Sequence, residues 1–127
     1  MRRRLAVLGL GGLLVLLSTA CDVSTGAGVS VQLTEFSVTA PKTLPAGNGR
    51  IEVDNVGEFT HTLVITDANG RVAAATGLVP SGEVTYLDVD LEPGTYSFTC
   101  RIVAQDGEGN LIDHYEAGMN TTVEVAG

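Results

Sequence analysis

Four side chains in this sequence could together hold one metal ion. Beyond residue 20 the chain contains two histidines, His61 and His114, one methionine, Met119, and a single cysteine, Cys100, apart from Cys21. Thiolate and thioether suit Cu(I), while imidazole suits both oxidation states, so two imidazoles, one thiolate and one weak thioether form a donor set that selects copper. The composition therefore predicts one mononuclear copper site.

The residues around His61 and Cys100 alternate between apolar and polar types, as in strands that are buried on one face. His61 shares its face with Leu63 and Ile65, and Cys100 shares its face with Phe98. We therefore expect each ligand at the edge of an apolar core, where a thiolate and a neutral imidazole are held rigidly and away from bulk water.

Thirteen residues separate Cys100 from His114, which is a long interval for two ligands of one metal ion. Residues 106–110 contain two glycines and other turn residues between two strand-like runs, a pattern that predicts a β-hairpin. If Gln105 pairs with Asn110, Cys100 lies opposite Tyr115. If Gln105 pairs with Leu111, Cys100 lies opposite Glu116. The hairpin would then return His114 to within a few ångströms of Cys100 along the strands.

The rest of the chain is a succession of short strand-like runs without sustained helical periodicity. These runs are rich in Val, Ile, Thr, Tyr and Phe and cover residues 29–38, 50–56, 60–66, 71–75, 83–91, 96–105, 111–115 and 121–125. An Asn-Gly pair at 69–70 and a Pro-Gly pair at 93–94 predict tight turns between them. Strands at this spacing predict an all-β fold, an antiparallel β-sandwich or barrel of about seven or eight strands.

The start of the chain is expected to lie outside the fold. Three arginines precede an apolar run shorter than the roughly 20 residues of a membrane-spanning helix, so residues 1–20 are typical of a signal peptide. The segment at 17–21 resembles a bacterial lipoprotein processing site, in which Cys21 becomes the lipidated first residue. Residues 21–28 then form the lipidated cysteine and a short tether, and residues 29–127 form one domain. We therefore expect a lipid anchor to the extracytoplasmic face of the cell membrane.

Acidic residues outnumber basic ones throughout the predicted domain. The whole chain has a formal net charge of −8, and without residues 1–20 four basic residues remain against fifteen acidic ones, which gives about −11. Such a surface repels nucleic acid and favours basic protein partners through electrostatic steering. We expect a monomer that binds no nucleic acid.

The order of the four candidate ligands and their flanking residues resembles the cupredoxins, small copper proteins built as Greek-key β-sandwiches. The matching stretches are Glu35-Phe36 with Pro41, LPAG at 44–47, VDNVG at 53–57, HTLVI at 61–65, LEPGTYSFTC at 91–100 and HYEAGM at 114–119. The resemblance implies that His61, Cys100 and His114 are equatorial ligands of one type 1 copper ion and that Met119 is the axial ligand. It also implies that Tyr96 is a tyrosine-corner residue, as in other Greek-key sandwiches.

Two features depart from the family pattern. Familiar members place the second histidine only a few residues after the cysteine, whereas here an acidic hairpin is inserted between Cys100 and His114. Thr62 follows the first histidine, where many members have an asparagine that ties the ligand loops together. The contacts that support the ligands must therefore be built differently in this chain.

The predicted site suits one-electron transfer, because its donors accept both oxidation states and four protein ligands leave no open position for a substrate. We therefore expect a membrane-tethered one-electron carrier outside the cytoplasm, with a basic or membrane-bound redox protein as partner, and not an enzyme. A copper chaperone or buffer that donates copper to an exported enzyme is one alternative, and a metal-free cupredoxin-like interaction module is another. Four acidic residues in and beside the inserted hairpin would dock a basic partner: Asp106, Glu108, Asp113 and Glu116.

Overall fold

A computed structural model describes residues 28–127 and shows two β-sheets packed face to face. Eleven strands form within these residues: β1 Val29–Thr34, β2 Ser37–Thr39, β3 Thr43–Pro45, β4 Gly47–Asn55, β5 Val64–Asp67, β6 Val72–Ala75, β7 Val84–Leu91, β8 Gly94–Thr99, β9 Val103–Gln105, β10 Leu111–Asp113 and β11 Asn120–Ala126. The first sheet has the order β2-β1-β4-β7 and the second the order β3-β11-β8-β5-β6, while β9 and β10 form a separate two-stranded sheet. The predicted all-β sandwich is confirmed.

Part of the predicted organisation falls outside the described residues. This applies to the signal peptide of residues 1–20 and to Cys21 with the tether up to residue 27. Between residues 28 and 127, no helix has the length and the apolar content that crossing a membrane requires.

Two strand pairs in the sandwich are parallel rather than antiparallel. β1 pairs in parallel with β4, with Val31 opposite Val53, and β3 pairs in parallel with β11. The run 29–38, expected as one strand, folds back on itself to form β1 and β2. The chain then joins the second sheet at β3 and returns to the first at β4, which therefore runs in the same direction as β1.

The core lies between the two sheets and is made of alternate strand residues, because successive side chains of a strand point to opposite faces. In β1, for example, Val31 and Leu33 are buried while Ser30 and Gln32 are exposed. The buried apolar side chains that pack together in this core are Val31, Leu33, Val38, Leu44, Ile51, Val53, Leu63, Ile65, Leu91, Tyr96, Phe98, Cys100, Met119, Val123 and Val125. Two candidate ligands, Cys100 and Met119, therefore belong to this closely packed interior.

Three candidate ligands meet at one end of the second sheet. Cys100 directly follows β8, and Met119 directly precedes β11, which pairs with β8 in antiparallel. His61 lies three residues before β5, which pairs with the other edge of β8. Two backbone hydrogen bonds with Val79, of 3.0 and 2.8 Å, hold the His61 backbone in place.

The hairpin predicted after Cys100 forms with Gln105 opposite Leu111, as expected. The His114 amide continues this register, because it donates a hydrogen bond to the Ile102 carbonyl at 3.0 Å. The hairpin thus carries His114 back toward Cys100.

The prediction that Cys100 lies opposite Tyr115 or Glu116 was wrong, because the Cys100 amide donates to the Met119 carbonyl at 3.0 Å. The residues between the hairpin and Met119 form a turn, in which the Asp113 carboxylate accepts hydrogen bonds at 2.9 and 3.2 Å from the amides two and three residues later. Gly118 ends this turn with a φ of 123°, and a Cβ atom at Gly118 would lie 2.9 Å from the Phe36 carbonyl oxygen. The turn changes the register, so Met119 and not a residue nearer His114 lies beside Cys100.

Two predicted turns also form. The segment at 69–70 connects β5 and β6, and the Asp67 side chain accepts hydrogen bonds of 2.9 Å from the amides of Asn69 and Arg71. At the turn before β8, the Tyr96 hydroxyl donates to the Glu92 carbonyl at 3.0 Å. This contact has the form of a tyrosine corner, in which the hydroxyl bonds to backbone a few residues upstream.

Candidate metal centre

The side chains of His61, Cys100 and His114 converge in the interior. Their candidate ligand atoms all lie within 4.8 Å of one another. Nδ1 of His61 lies 3.2 Å from Nδ1 of His114, and the Cys100 sulfur lies 3.9 and 3.7 Å from these two nitrogens. His61 and Cys100 are fully buried and His114 is 2% exposed, so water has almost no access to the cluster.

The spacing and chemistry of these atoms fit one copper ion. Two metal–nitrogen bonds of about 2.0–2.1 Å, or one such bond and a metal–sulfur bond of about 2.3 Å, together measure at least about 4 Å. Each pair of candidate ligand atoms lies closer than this, so one ion can bond to both atoms of every pair. Two imidazoles and one thiolate in a trigonal arrangement are the donors of a type 1 copper site. The cluster therefore fits a single type 1 copper ion.

Met119 is fully buried and belongs to the same apolar core as Cys100. Its amide donates to the His114 carbonyl at 2.9 Å, and its carbonyl accepts from Cys100. The backbone of Met119 thus joins two ligand segments, while the axial role of its thioether stays a prediction.

The residues that follow Cys100 and His114 are also in contact. The Arg101 guanidinium lies 4.4 Å from the centre of the Tyr115 ring, which is a cation–π contact.

Thr62 links the segments that carry His61 and Cys100. The Thr62 amide donates to the Cys100 sulfur at 3.4 Å, and its hydroxyl donates to the same sulfur at 3.7 Å. The hydroxyl oxygen also accepts a hydrogen bond of 3.2 Å from the Arg101 amide. A threonine therefore ties the two loops in this chain, and its hydrogen bonds stabilise negative charge on the sulfur.

Glu35 contacts the cluster although no sequence pattern assigned it to the site. Its Oε1 atom lies 3.2 Å from Nε2 of His61 and accepts hydrogen bonds from the Glu58 and Phe59 amides at 2.6 and 2.8 Å. The Phe59 hydrogen bond is the main factor that lowers the pKa of Glu35, so this group is a carboxylate at neutral pH. Glu35 belongs to one of the stretches that resemble the cupredoxins, but the resemblance assigned it no role at the metal.

The environment of His114 keeps its imidazole neutral. Burial is the main factor that lowers the pKa of His114, and nearby His61 lowers it further. The Phe36 ring packs edge-on against the imidazole, with 5.6 Å between ring centres. Beside them lies a groove of about 240 Å³, lined by Phe36, Phe59, Ala104, Gln105, Asp106, Gly107, Ile112 and His114. The inserted hairpin thus shields His114 from solvent in its metal-binding, neutral form.

The four acidic residues predicted to dock a partner have different surroundings. Asp106 accepts hydrogen bonds from the side chain and amide of Asn110 and from the Glu108 amide, and the Asn110 side chain is the main factor that lowers the pKa of Asp106. Asp113 holds the turn before Met119 as described above. The Glu108 and Glu116 side chains are exposed. Two of the four carboxylates therefore stabilise loops, and docking stays a prediction for the set.

Comparison with known proteins gives matches among solved structures only. No family model and no curated protein matches the chain. An auracyanin from Roseiflexus castenholzii superposes with a TM-score of 0.61 at 20% identity, covering 77% of this chain and 95% of that one. An azurin from Methylomonas sp. strain J gives a TM-score of 0.57 at 12% identity, covering 77% and 96%.

Two further matches define the limits of this likeness. A purple cupredoxin from Nitrosopumilus maritimus gives a TM-score of 0.50 at 14% identity, covering 76% of this chain and 98% of that one. A copper-containing nitrite reductase from Thermus scotoductus gives 0.53 at 24% identity, but the match covers 79% of this chain and only 22% of the reductase. At these identities the likeness concerns the fold: the described domain has the cupredoxin fold, and one end of its sandwich holds a cluster with the composition of a type 1 copper site.

Proposed function

We propose that this protein is a membrane-tethered one-electron carrier that works outside the cytoplasm. The observation that carries this proposal is the buried, closely spaced cluster of His61, Cys100 and His114. A bound copper ion supplies a one-electron couple, because these donors accept both Cu(I) and Cu(II). The chain holds the donors in one arrangement, so little rearrangement accompanies each electron.

The stiffness of the site comes from backbone hydrogen bonds on every ligand segment. His61 is paired with Val79, and Cys100 and His114 are both bonded to Met119. These contacts continue the second sheet to the edge of the site. A donor set fixed in this way favours electron transfer over reactions that need ligands to move.

We also propose that the site is not catalytic. The cluster is buried, and with Met119 as a fourth ligand no coordination position is left for a substrate. The likeness to a nitrite reductase covers only a fifth of that enzyme and gives no support for its reaction in this chain.

Reversible redox chemistry tests the carrier function. We expect the copper-loaded full chain to lose and regain its visible absorption when it is reduced and reoxidised, and to retain one copper ion through gel filtration in both states. The fixed donors should hold both oxidation states tightly. Loss of copper on reduction would contradict the carrier and favour copper delivery.

The membrane location depends on Cys21, which lies in the segment that resembles a lipoprotein processing site. We expect the full chain to fractionate with membranes and Cys21→Ser to fractionate with soluble proteins, because stable anchoring needs the acyl chains that this cysteine would carry. Copper binding in the soluble variant is the matched control. Equal membrane association of both proteins would contradict the anchor.

Copper delivery to an exported enzyme is the second candidate. The inserted hairpin favours it, because its Val103, Glu108 and Leu111 side chains and the neighbouring Glu116 are exposed and available to a partner. The same surface could bind a basic or membrane-bound redox protein, so the hairpin alone does not separate the two functions. The burial of all three donors supports the carrier, because a donor of copper needs an exposed ligand from which the ion can be passed on.

A further inference from the structure

We propose that Glu35 is a positioning residue of the copper site, whose carboxylate fixes the tautomer of His61 and favours the oxidised metal ion. The inference rests on the proposed function, because it assigns Glu35 a role toward copper bound at His61. Glu35 lies between β1 and β2, far in sequence from every candidate ligand. Three features of its surroundings support this role.

The first feature is that both ring nitrogens of His61 have a defined neighbour. Nδ1 faces His114 and Cys100, at 3.2 and 3.9 Å, while Nε2 lies 3.2 Å from Oε1 of Glu35. A carboxylate can only accept a hydrogen bond, so Nε2 of His61 carries a proton, and a nitrogen that binds a metal ion carries none. Nδ1 therefore offers its lone pair to the metal, and the carboxylate orients the ring and makes it a stronger ligand.

The second feature is that the Glu35 carboxylate is itself held in place. Besides His61, its Oε1 atom accepts hydrogen bonds from the Glu58 and Phe59 amides at 2.6 and 2.8 Å. Gly57 allows this close approach, because a Cβ atom at that position would overlap the carboxylate. The loop that precedes His61 therefore leaves the carboxylate one position, which points at Nε2.

The third feature is the electrostatic setting. The Glu35 side chain is 25% exposed, while that of His61 is fully buried. The negative charge thus lies at the boundary of the core, where water screens it only in part. Because Cu(II) carries one more positive charge than Cu(I), a carboxylate at this place stabilises Cu(II) more and lowers the reduction potential.

Glu35→Gln separates this role from a structural one, because glutamine keeps the shape and the accepting oxygen but removes the charge. We expect the affinity for Cu(II) to fall roughly 10-fold relative to that for Cu(I), within the 10- to 100-fold range for residues that orient metal ligands. A 10-fold change in this ratio raises the potential of a one-electron couple by about 59 mV. The measurement is the reduction potential together with Cu(I) and Cu(II) dissociation constants of the full chain.

Glu58→Gln is the matched control, because Glu58 is exposed and contacts Glu35 only through its amide. It removes an equal charge from the neighbouring loop that precedes His61, and its potential should stay close to that of the unmodified protein. Equal shifts in both variants would overturn the inference and leave only a general charge effect.

A second measurement needs no copper and judges the tautomer alone. In the metal-free protein, the nitrogen chemical shifts of His61 should show the proton on Nε2. Gly57→Ala should disturb this tautomer, because the added methyl group displaces the carboxylate while its charge is kept. A proton on Nδ1 of His61 in the unmodified protein would overturn the inference. If the protein bound no copper but carried the proton on Nε2, the proposed function would fail while the positioning of His61 stood.

Discussion

Cys100→Ser will abolish the visible absorption of the copper-loaded protein. The strong absorption of a type 1 site arises from charge transfer between thiolate sulfur and copper, and Cys100 is the only cysteine within residues 28–127. A serine hydroxyl is a hard donor that stays protonated at neutral pH and does not replace the thiolate for Cu(I). We therefore expect complete loss of the band and a fall in Cu(I) affinity of more than about 100-fold, a larger effect than for residues that only orient the ligands. Copper titration followed by visible absorption and electron paramagnetic resonance measures both.

Cys21→Ser is the control for this experiment, because it removes the other cysteine and leaves Cys100 in place. This variant should keep its full colour. Circular dichroism of Cys100→Ser should show an unchanged β-sheet spectrum, since serine is smaller than cysteine and fits the same buried position. Equal colour in Cys100→Ser and in the unmodified protein would place the copper elsewhere and contradict the site.

Local patterns in the sequence were sufficient to predict much of the site. Alternation placed His61 and Cys100 on the apolar faces of their segments, and both side chains are fully buried. Turn residues at 106–110 predicted the hairpin and its pairing of Gln105 with Leu111. These features depend on residues close in sequence, where the two-residue period of a strand and the preferences of turn residues act directly.

Features that depend on distant parts of the chain were not predictable in this way. The parallel pairing of β1 with β4 follows from how the chain crosses between the sheets, and β3, with only one buried residue, has almost no pattern of its own. The shift that places Met119 beside Cys100 depends on the turn that Asp113 stabilises. Glu35 and His61 are 26 residues apart in the sequence, and their contact forms only because two loops pack together in the fold.

The inserted hairpin changes how the site is covered without changing which donors meet. It lengthens the path between Cys100 and His114, yet the His114 amide returns to the Ile102 carbonyl and Met119 bonds to both ligand segments. The added residues shield His114, which is 2% exposed. Thr62 and Glu35 then supply hydrogen bonds to the side chains of Cys100 and His61.

Phe98→Ala is expected to cause the largest loss of stability among single core substitutions near the site. Phe98 is fully buried in β8, opposite Ile65 of β5 and Thr121 of β11, and lies two residues before Cys100. Removing a buried phenylalanine ring typically costs about 3–5 kcal/mol, because the transfer free energy is lost and a cavity remains. Domains of this kind have an unfolding free energy of about 5–15 kcal/mol, so the substitution removes a large part of the stability. Urea unfolding of the metal-free protein measures the change.

Tyr86→Ala is the matched control, because Tyr86 is also an aromatic residue in a strand but is 60% exposed. Its effect should stay within about 0.5 kcal/mol, as for surface positions in general. Copper at 100 times its dissociation constant should add about 2.7 kcal/mol to the unfolding free energy of every variant that still forms the site. Phe98→Ala should therefore regain stability when copper is added, whereas Cys100→Ser should not. If copper stabilised both variants equally, the ion would bind away from the end of β8, and the link between this core and the metal centre would be refuted.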